Sequence, residues 1–185
     1  LMKGILRAEQ HIYVNKDGTT RYDMTQLPIT GFKPKEVGTD ISKLKKMGYC
    51  IDIHGKSLEN EDQLLELKPQ DIILPESKGC IDEGAHKVFF RVTKFIDNLL
   101  VKFYRLPPFY NLKKETDLVG HLVAILAPHT SAAIVGRIIG FSKTQGLYAS
   151  PLIHAATRRD CDGDEACCIL LLDALLNFSR QYLPA

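Results

Sequence analysis

The chain has 185 residues, 45% hydrophobic and 25% charged, with a formal net charge of +2 at neutral pH. That length suits one medium domain or two small ones with a real core, and the composition is that of a soluble globular protein, not of a disordered or fibrous one. So small a net charge does not imply a polyanion partner by itself, which leaves local clusters: Lys43, Lys45 and Lys46 make one, Arg158 with Arg159 another.

The opening LMKGILRAEQ lacks the sustained apolar core and small-residue cleavage site of a secretory signal. No apolar run reaches membrane-spanning length, so no membrane partner is expected. Five cysteines without a Cys-x-x-Cys pair argue against a disulfide framework or a zinc ribbon. A reducing, cytoplasmic setting is the expectation. The abrupt Leu-Met start and the RQYLPA end suggest a piece of something longer.

Residues 1–84 read as a β-rich accessory region with a single helix. HIYVNKDGTTRYDM predicts a hairpin about a turn at Asp17 and Gly18. Asp40 suits the N-cap of a short helix running to Met47 and stopped by Gly48. GYCIDIHGKSL and ELKPQDIILP then read as strands bounded by Gly or Pro. Next comes an amphipathic helix at 85–104, within a segment spanning 85–106. Val88, Val92, Phe95, Leu99 and Phe103 form one face of it, and Lys87, Arg91, Lys94, Asn98 and Lys102 another. A basic stripe of this kind more often faces solvent than phosphate. Pro107 and Pro108 end the segment.

The texture changes over 107–185. Two apolar runs at 121–127 and 132–141, separated by Pro-His-Thr-Ser, fit buried strands of a closed or sandwiched sheet, though the second run also suits a helix capped by Thr130 or Ser131. Arg137, amid apolar residues, is either a phosphate contact or a buried ion-pair partner. His129 and His154 lie close in sequence to the acidic cluster below, but lone histidines on apolar segments are more often structural. SPLIHAATRR predicts a short helical turn opened by Ser150 and Pro151. The stretch 165–183 is apolar nearly all round and reads as one buried helix with Asp173, Asn177, Arg180 and Gln181 on its wet edge and Cys167 and Cys168 as small core residues.

Most of the chemistry lies in TRRDCDGDEACC, residues 157–168. In an extended or tightly turned backbone, Asp160, Asp162 and Asp164 point the same way, so their carboxylates can converge. Like charges that close raise one another's pKa, and a bound Mg²⁺ relieves the conflict. Gly163 lets the backbone bend between the last two. An EF-hand loop is excluded, because its required glycine and bidentate glutamate fall on Glu165 and Leu171. Acidic capping of a following helix explains one or two of these acids, not all four. Aspartates holding a cation beside Arg158 and Arg159 suit metal-dependent phosphate chemistry, with synthesis or hydrolysis undecided.

EDQLLELKPQDIILP, together with VTKFIDNLLVKFY, HLVAILAPHTSAAIVGRIIGF and the RRDCDGDE block with LLLDALLNFSRQYLP, closely resembles the large subunit of the archaeal family D replicative DNA polymerase. The resemblance covers most of this chain and a small part of that subunit. A more distant likeness, through Ala127-Pro128, Pro151-Leu152-Ile153 and the aspartates, is to the catalytic loop of multisubunit RNA polymerases. Both families are built on double-psi β-barrels, which implies a partial double-psi barrel here, with Asp162 and Asp164 as the principal metal ligands. Asp160 stands where many family D members carry Asn.

The expected fold is therefore α+β: a β-rich N-terminal part, a long amphipathic helix, then a partial β-barrel carrying the catalytic aspartate loop and a buried C-terminal helix. The resemblance implies a segment of a DNA-directed DNA polymerase that joins deoxynucleoside triphosphates to a primer-template by two-metal catalysis. A small exonuclease subunit and a sliding clamp are the implied partners, with the clamp contacting other parts of the subunit. The expected phosphate contacts are Arg158, Arg159 and Arg137. A scaffold with a structural ion and a metal-dependent 3′-5′ exonuclease are the alternatives.

Overall fold

The structure, a computed structural model, describes residues 1–15, 18–127, 132–158 and 163–182, with side chains as far as residue 178. In chain order the elements are α1 (Met2–Glu9), β1 (Tyr22–Pro28), β2 (Gly31–Phe32), α2 (Pro34–Val37), α3 (Ile41–Lys46), β3 (Leu65–Glu66), β4 (Asp71–Pro75) and α4 (Ala85–Lys102). A 3₁₀ turn at Glu115–Leu118 leads to β5 (Leu122–Leu126), β6 (Ile134–Ser142), β7 (Leu147–Ala149), α5 (Pro151–Ala156), β8 (Glu165–Leu170) and α6 (Leu171–Tyr182).

Six strands close a barrel in the order β1-β7-β4-β6-β5-β8, and β8 returns to pair with β1. The β1/β7 and β4/β6 pairs are parallel and the other four antiparallel. The architecture is thus α+β around a closed barrel. Two of its strands come from residues 1–84 and four from 107–185, so those stretches interlock in one unit.

Both faces of most barrel strands are buried, which is why they read as continuous apolar runs and not as alternating ones. Inward positions Met24, Ile72, Leu74, Val123, Ile125, Ile138, Leu147, Ala166, Cys168 and Leu170 form the central core with the buried face of α4. Ile73 and Ile139 point outward into a second core under α2, α3 and the small β2-β3 sheet. Leu126, Cys167 and Ile169 form a third, against Ala174 of α6.

The strand runs at 121–127 and 132–141, the Asp40-to-Met47 helix with Gly48 beyond it, and the Ser150-Pro151 turn stand as expected. Four readings are corrected. The opening residues form α1, anchored by buried Leu6 and by the Arg7 guanidinium 5.1 Å from the centre of the Phe95 ring. The 11–24 stretch pairs as no hairpin among the described residues: Asp17 of the expected turn lies outside them, strand begins only at Tyr22, and that strand finds its partners in β7 and β8. GYCIDIHGKSL contributes one isolated bridge, Ile51 to Ser57. Instead it wraps around the Asp52 carboxylate, which accepts hydrogen bonds from the amides of His54 and Lys56 at 2.8 and 3.0 Å and from Gln63 Nε2 at 3.0 Å.

The fourth correction concerns the helix expected over 165–183: residues 165–182 are a strand followed by a helix, and Leu183 lies outside the described residues. Apolar runs have no periodicity to tell the two apart, and here β8 is claimed by pairing with β1 and β5. Asp173 is accordingly buried, not on a wet edge, and accepts from the Thr20 amide at 3.1 Å and from Asn177 Nδ2 at 2.9 Å. Cys167 and Cys168 are core residues, and burial pushes the Cys168 thiol pKa up. In α4 the buried face keeps Val92, Phe95 and Leu99 but is completed by Phe89, Ile96 and Leu100, while Phe103 is exposed.

The parallel β4/β6 pair shifts register between Ile72 and Ile73. There the outer layer comes close to the barrel. Thr39 Oγ1 donates to the Ile139 carbonyl at 2.6 Å, and a Cβ on Gly140 would lie 2.6 Å from Val37 Cβ and 2.7 Å from the Val37 carbonyl oxygen. Gly140→Ala is expected to lower the free energy of unfolding by about 1–3 kcal/mol through overpacking, measured by denaturant unfolding of the chain.

Candidate active site

The aspartate loop is held at both ends. On its N-terminal side, Ser150 Oγ caps α5 by accepting from the Leu152 amide at 3.2 Å. Thr157 Oγ1 closes the helix by donating to the Ile153 carbonyl at 2.8 Å. Arg158 follows with φ +56, a left-handed turn that swings the chain away from the helix axis. On the C-terminal side Gly163 has φ +102, a conformation that suits glycine. The Asp164 carbonyl then accepts from the Gln26 amide at 3.0 Å, and Glu165 enters β8 opposite Thr25.

Of the expected site residues, Asp160, Asp162 and Arg159 lie outside the described residues, as does His129. Asp164 is half-buried at the loop's exit, and Arg158 is exposed at its entry. Among the described residues no three acidic, histidine or cysteine side chains converge as a metal site. The carboxylate donor set suits a hard, oxygen-seeking cation.

Arg137 is not brought to this end of the barrel. It sits on β6 opposite Leu122 at the start of β5, whereas the far end of β5, Leu126, pairs with Cys167 beside the loop. Its guanidinium binds the fully buried Asp71 carboxylate bidentately, Nε to Oδ1 and Nη2 to Oδ2 at 2.8 Å each, and Nη2 also reaches the Met47 carbonyl at 3.0 Å. Tyr49 donates its hydroxyl to Asp71 and accepts from the Lys68 amide at 3.1 Å. Burial, then the bond to Asp71, holds the Tyr49 phenol well above its ordinary pKa. Of the two roles open to Arg137, the structure shows the ion pair.

The basic stripe of α4 is also partly engaged within the chain. Arg91 pairs with Glu83, Nη2 to Oε2 at 2.7 Å, and this bond holds the Glu83 carboxyl below the usual range. Lys94 Nζ donates to the Leu112 carbonyl at 2.9 Å.

Two features were missed. The first is a polar cleft of about 460 Å³ beside the loop, where Arg21 and, on β1, Asp23 and Thr25 meet Glu165 of β8, Asp82, Glu83 and Gln145. The second is a pair of buried polar side chains at the loop's roots. Among the described residues, fully buried Gln26 has neither amide atom hydrogen-bonded, and buried His154 has no partner for Nε2, although its Nδ1 lies 3.4 Å from the Ser150 carbonyl oxygen. A glutamine following Tyr22 and Met24 at strand spacing was the available signal.

Against this geometry, comparison with known sequences is decisive. The family model described as "DNA polymerase II large subunit DP2, catalytic domain" matches residues 1–185. The chain belongs to this family. It is 58% identical over 184 residues to the DNA polymerase II large subunit of Archaeoglobus fulgidus, covering 100% of this chain and 16% of that protein. The Pyrococcus furiosus large subunit is also 58% identical over 184 residues, with 14% of its length covered, and that of Nanoarchaeum equitans is 52% identical over 194 residues, with 16% covered. The chain therefore spans about a sixth of the length of the relatives it matches.

Removing one partner of a buried ion pair leaves the other charge uncompensated. Arg137→Leu is accordingly expected to cost about 3–5 kcal/mol of stability, read by denaturant unfolding. A loss below 1 kcal/mol would show that Asp71 does not depend on the arginine.

Proposed function

We propose that this chain is the aspartate-loop segment of the catalytic subunit of a replicative DNA-directed DNA polymerase, adding deoxynucleotides to a primer 3′ end. The observation that carries the reading is the position of the Asp-Cys-Asp-Gly-Asp block: in a chain of the DP2 catalytic-domain family, it spans the connection from α5 to β8, and its exit is tied to the barrel through the Gln26 amide and the Asp164 carbonyl. Asp160, Asp162 and Asp164 would hold Mg²⁺. When bound, such a cation supplies charge stabilisation on the phosphate oxygens and a lowered pKa for the attacking hydroxyl, and a second one steadies the leaving group.

The chain's own residues do the positioning. The aspartates present oxygen donors from one short loop, and Arg158 and Arg159 stand at its entry to meet substrate phosphates. Arg137, committed to Asp71, is not part of this set. The six-stranded barrel with mixed pairing supports a double-psi reading. Primer-template and deoxynucleoside triphosphates are the proposed substrates. The small exonuclease subunit and the sliding clamp are proposed to engage the complete protein, the clamp through parts beyond this segment.

The test is primer extension by the complete two-subunit enzyme carrying Asp162→Asn or Asp164→Asn, with assembly and primer-template binding measured alongside. Loss of groups that merely orient metal ligands costs about 10–100-fold in metal affinity or activity, so removal of a ligand is expected to reduce extension by at least about 100-fold while binding survives. Extension that persists would make the aspartates structural, and loss confined to 3′-5′ degradation would favour the exonuclease. The segment by itself is expected not to extend a primer, and templated synthesis by the purified chain would contradict that.

A further inference from the structure

Lys43, Lys45 and Lys46 stand on α3, and the fold brings them company that the sequence does not show. The 3₁₀ turn at Glu115–Leu118, preceded by Lys113 and Lys114, lies beside α3, and Lys43 Nζ donates to its Thr116 carbonyl at 3.2 Å. Between the two elements is a cleft of about 340 Å³, lined by Lys43, Lys46 and Lys114 together with Ser42 and Thr116. Lys45 and Lys113, the chain neighbours of two of these lysines, are exposed.

The local acids do not cancel this charge. Asp40 and Asp117 also line the cleft, but Asp117 Oδ2 already accepts from the amides of Lys113 and Lys114, at 3.0 and 3.1 Å. Glu115 turns to His86, its Oε2 lying 3.5 Å from Nε2. Five lysines against these three acids leave an excess of two positive charges, as large as the net charge of the whole chain. Among the described residues none of the five lysines is in an ion pair, whereas Lys35 holds Asp62 at 2.6 Å and Arg91 holds Glu83. The field reaches His121, whose pKa is held below its ordinary value by burial first and by the Lys43 charge second. Unpaired lysines gathered over a cleft that also carries hydroxyl groups fit a ligand with spaced negative charges.

The cleft's place in the fold says which part of such a ligand it meets. The 3₁₀ turn leads directly to the start of β5 at Leu122, while the other end of β5, Leu126, pairs with Cys167 of β8. Four residue steps of strand separate those ends by roughly 14 Å, or about four base steps of a nucleic-acid strand. Cations set that far from the exit of the acidic loop meet the backbone of a bound strand, not the reacting phosphate.

We propose that the lysine cleft between α3 and the 3₁₀ turn binds the phosphate backbone of the primer-template duplex, away from the reacting end. The inference rests on the proposed function above. Phosphate contacts hold and register a duplex without reading its bases, so losing them acts on affinity and on its salt dependence.

The test uses the complete two-subunit enzyme carrying Lys46→Gln and Lys114→Gln together. Lys43 is kept, because its bond to Thr116 ties the two elements to each other. Primer-template affinity is measured by fluorescence anisotropy over a salt series, with the unfolding temperature and small-subunit binding measured alongside. Loss of two phosphate contacts is expected to weaken binding by about 10-fold or more at ~0.1 M salt and to lower the slope of log affinity against log salt by about 2. Primer-templates of unrelated sequence should be affected equally. Lys46→Arg with Lys114→Arg should keep the wild-type slope. Lys56→Gln with Lys102→Gln, which removes the same charge from exposed positions elsewhere, should leave affinity and slope unchanged. Wild-type affinity and slope in the Lys46 and Lys114 pair would overturn the proposal, and so would an equal loss in the Lys56 and Lys102 pair. A lowered unfolding temperature, or lost small-subunit binding with DNA affinity intact, would also overturn it, since the lysines would then serve the fold or an acidic protein surface. Asp164→Asn run in parallel separates the two readings. If it keeps full extension while the lysine pair loses DNA affinity, the aspartate assignment fails and this contact stands; if it loses extension while the lysine pair binds as wild type, only this inference fails.

Discussion

The structure depends on strand β8 being paired on both edges, with β1 across Tyr22–Thr25 and with β5 across Val123–Leu126. Without β8 the barrel stays open between β1 and β5, and the central core loses Ala166, Cys168 and Leu170 from its lining. The same pairing decides where the acidic loop ends. Because Glu165 is locked opposite Thr25, Asp164 leaves the loop at a fixed height above the barrel, with its carbonyl on the Gln26 amide. Closure of the core and placement of the loop's exit at Asp164 are one physical event. That coupling explains how a short, highly charged segment can sit directly against an apolar strand.

Charge is distributed to match. The one strongly buried carboxylate on the barrel's other end, Asp71, is answered by Arg137 and Tyr49, so it draws on nothing near the loop. Beside the loop, acids are left near the surface. Asp23 and Glu165 line an open cleft with Asp82 and Glu83, and only Glu83 has its charge matched by a bidentate arginine, Arg91. Four acids thus gather with Arg21 in a cleft beside the loop's exit.

Much of this was legible where the signal is local. The Asp40 and Ser150 starts, the glycine beyond α3, the apolar runs of β5 and β6 and the existence of α4 all follow from residues within one or two turns of each other. What failed was decided at long range. β1 is separated by more than a hundred residues from both of its partners, so its neighbourhood suggested a hairpin that the described residues do not form. Cys167 to Leu170 look the same to a helix as to a strand, and only β1 and β5 settle the matter. The aspartates were conspicuous because charge at two-residue spacing is rare, whereas Gln26 is a single polar letter whose meaning appears only when its burial is known. Arg137 showed the limit from the other direction: its carboxylate partner sits 66 residues away, and nothing in the sequence pairs them.

The central claim is that a catalytic divalent cation sits in the loop between α5 and β8. The most direct measurement is to replace Mg²⁺ by Fe²⁺ in the complete two-subunit enzyme, generate hydroxyl radicals at the bound iron, and map where the backbone is cut. The account predicts cuts clustered at 158–165 and on the adjacent strand near Thr25 and Gln26, suppressed by excess Mg²⁺. Cleavage centred elsewhere, for example at Asp82 and Glu83, or a pattern that Mg²⁺ does not suppress, would contradict it.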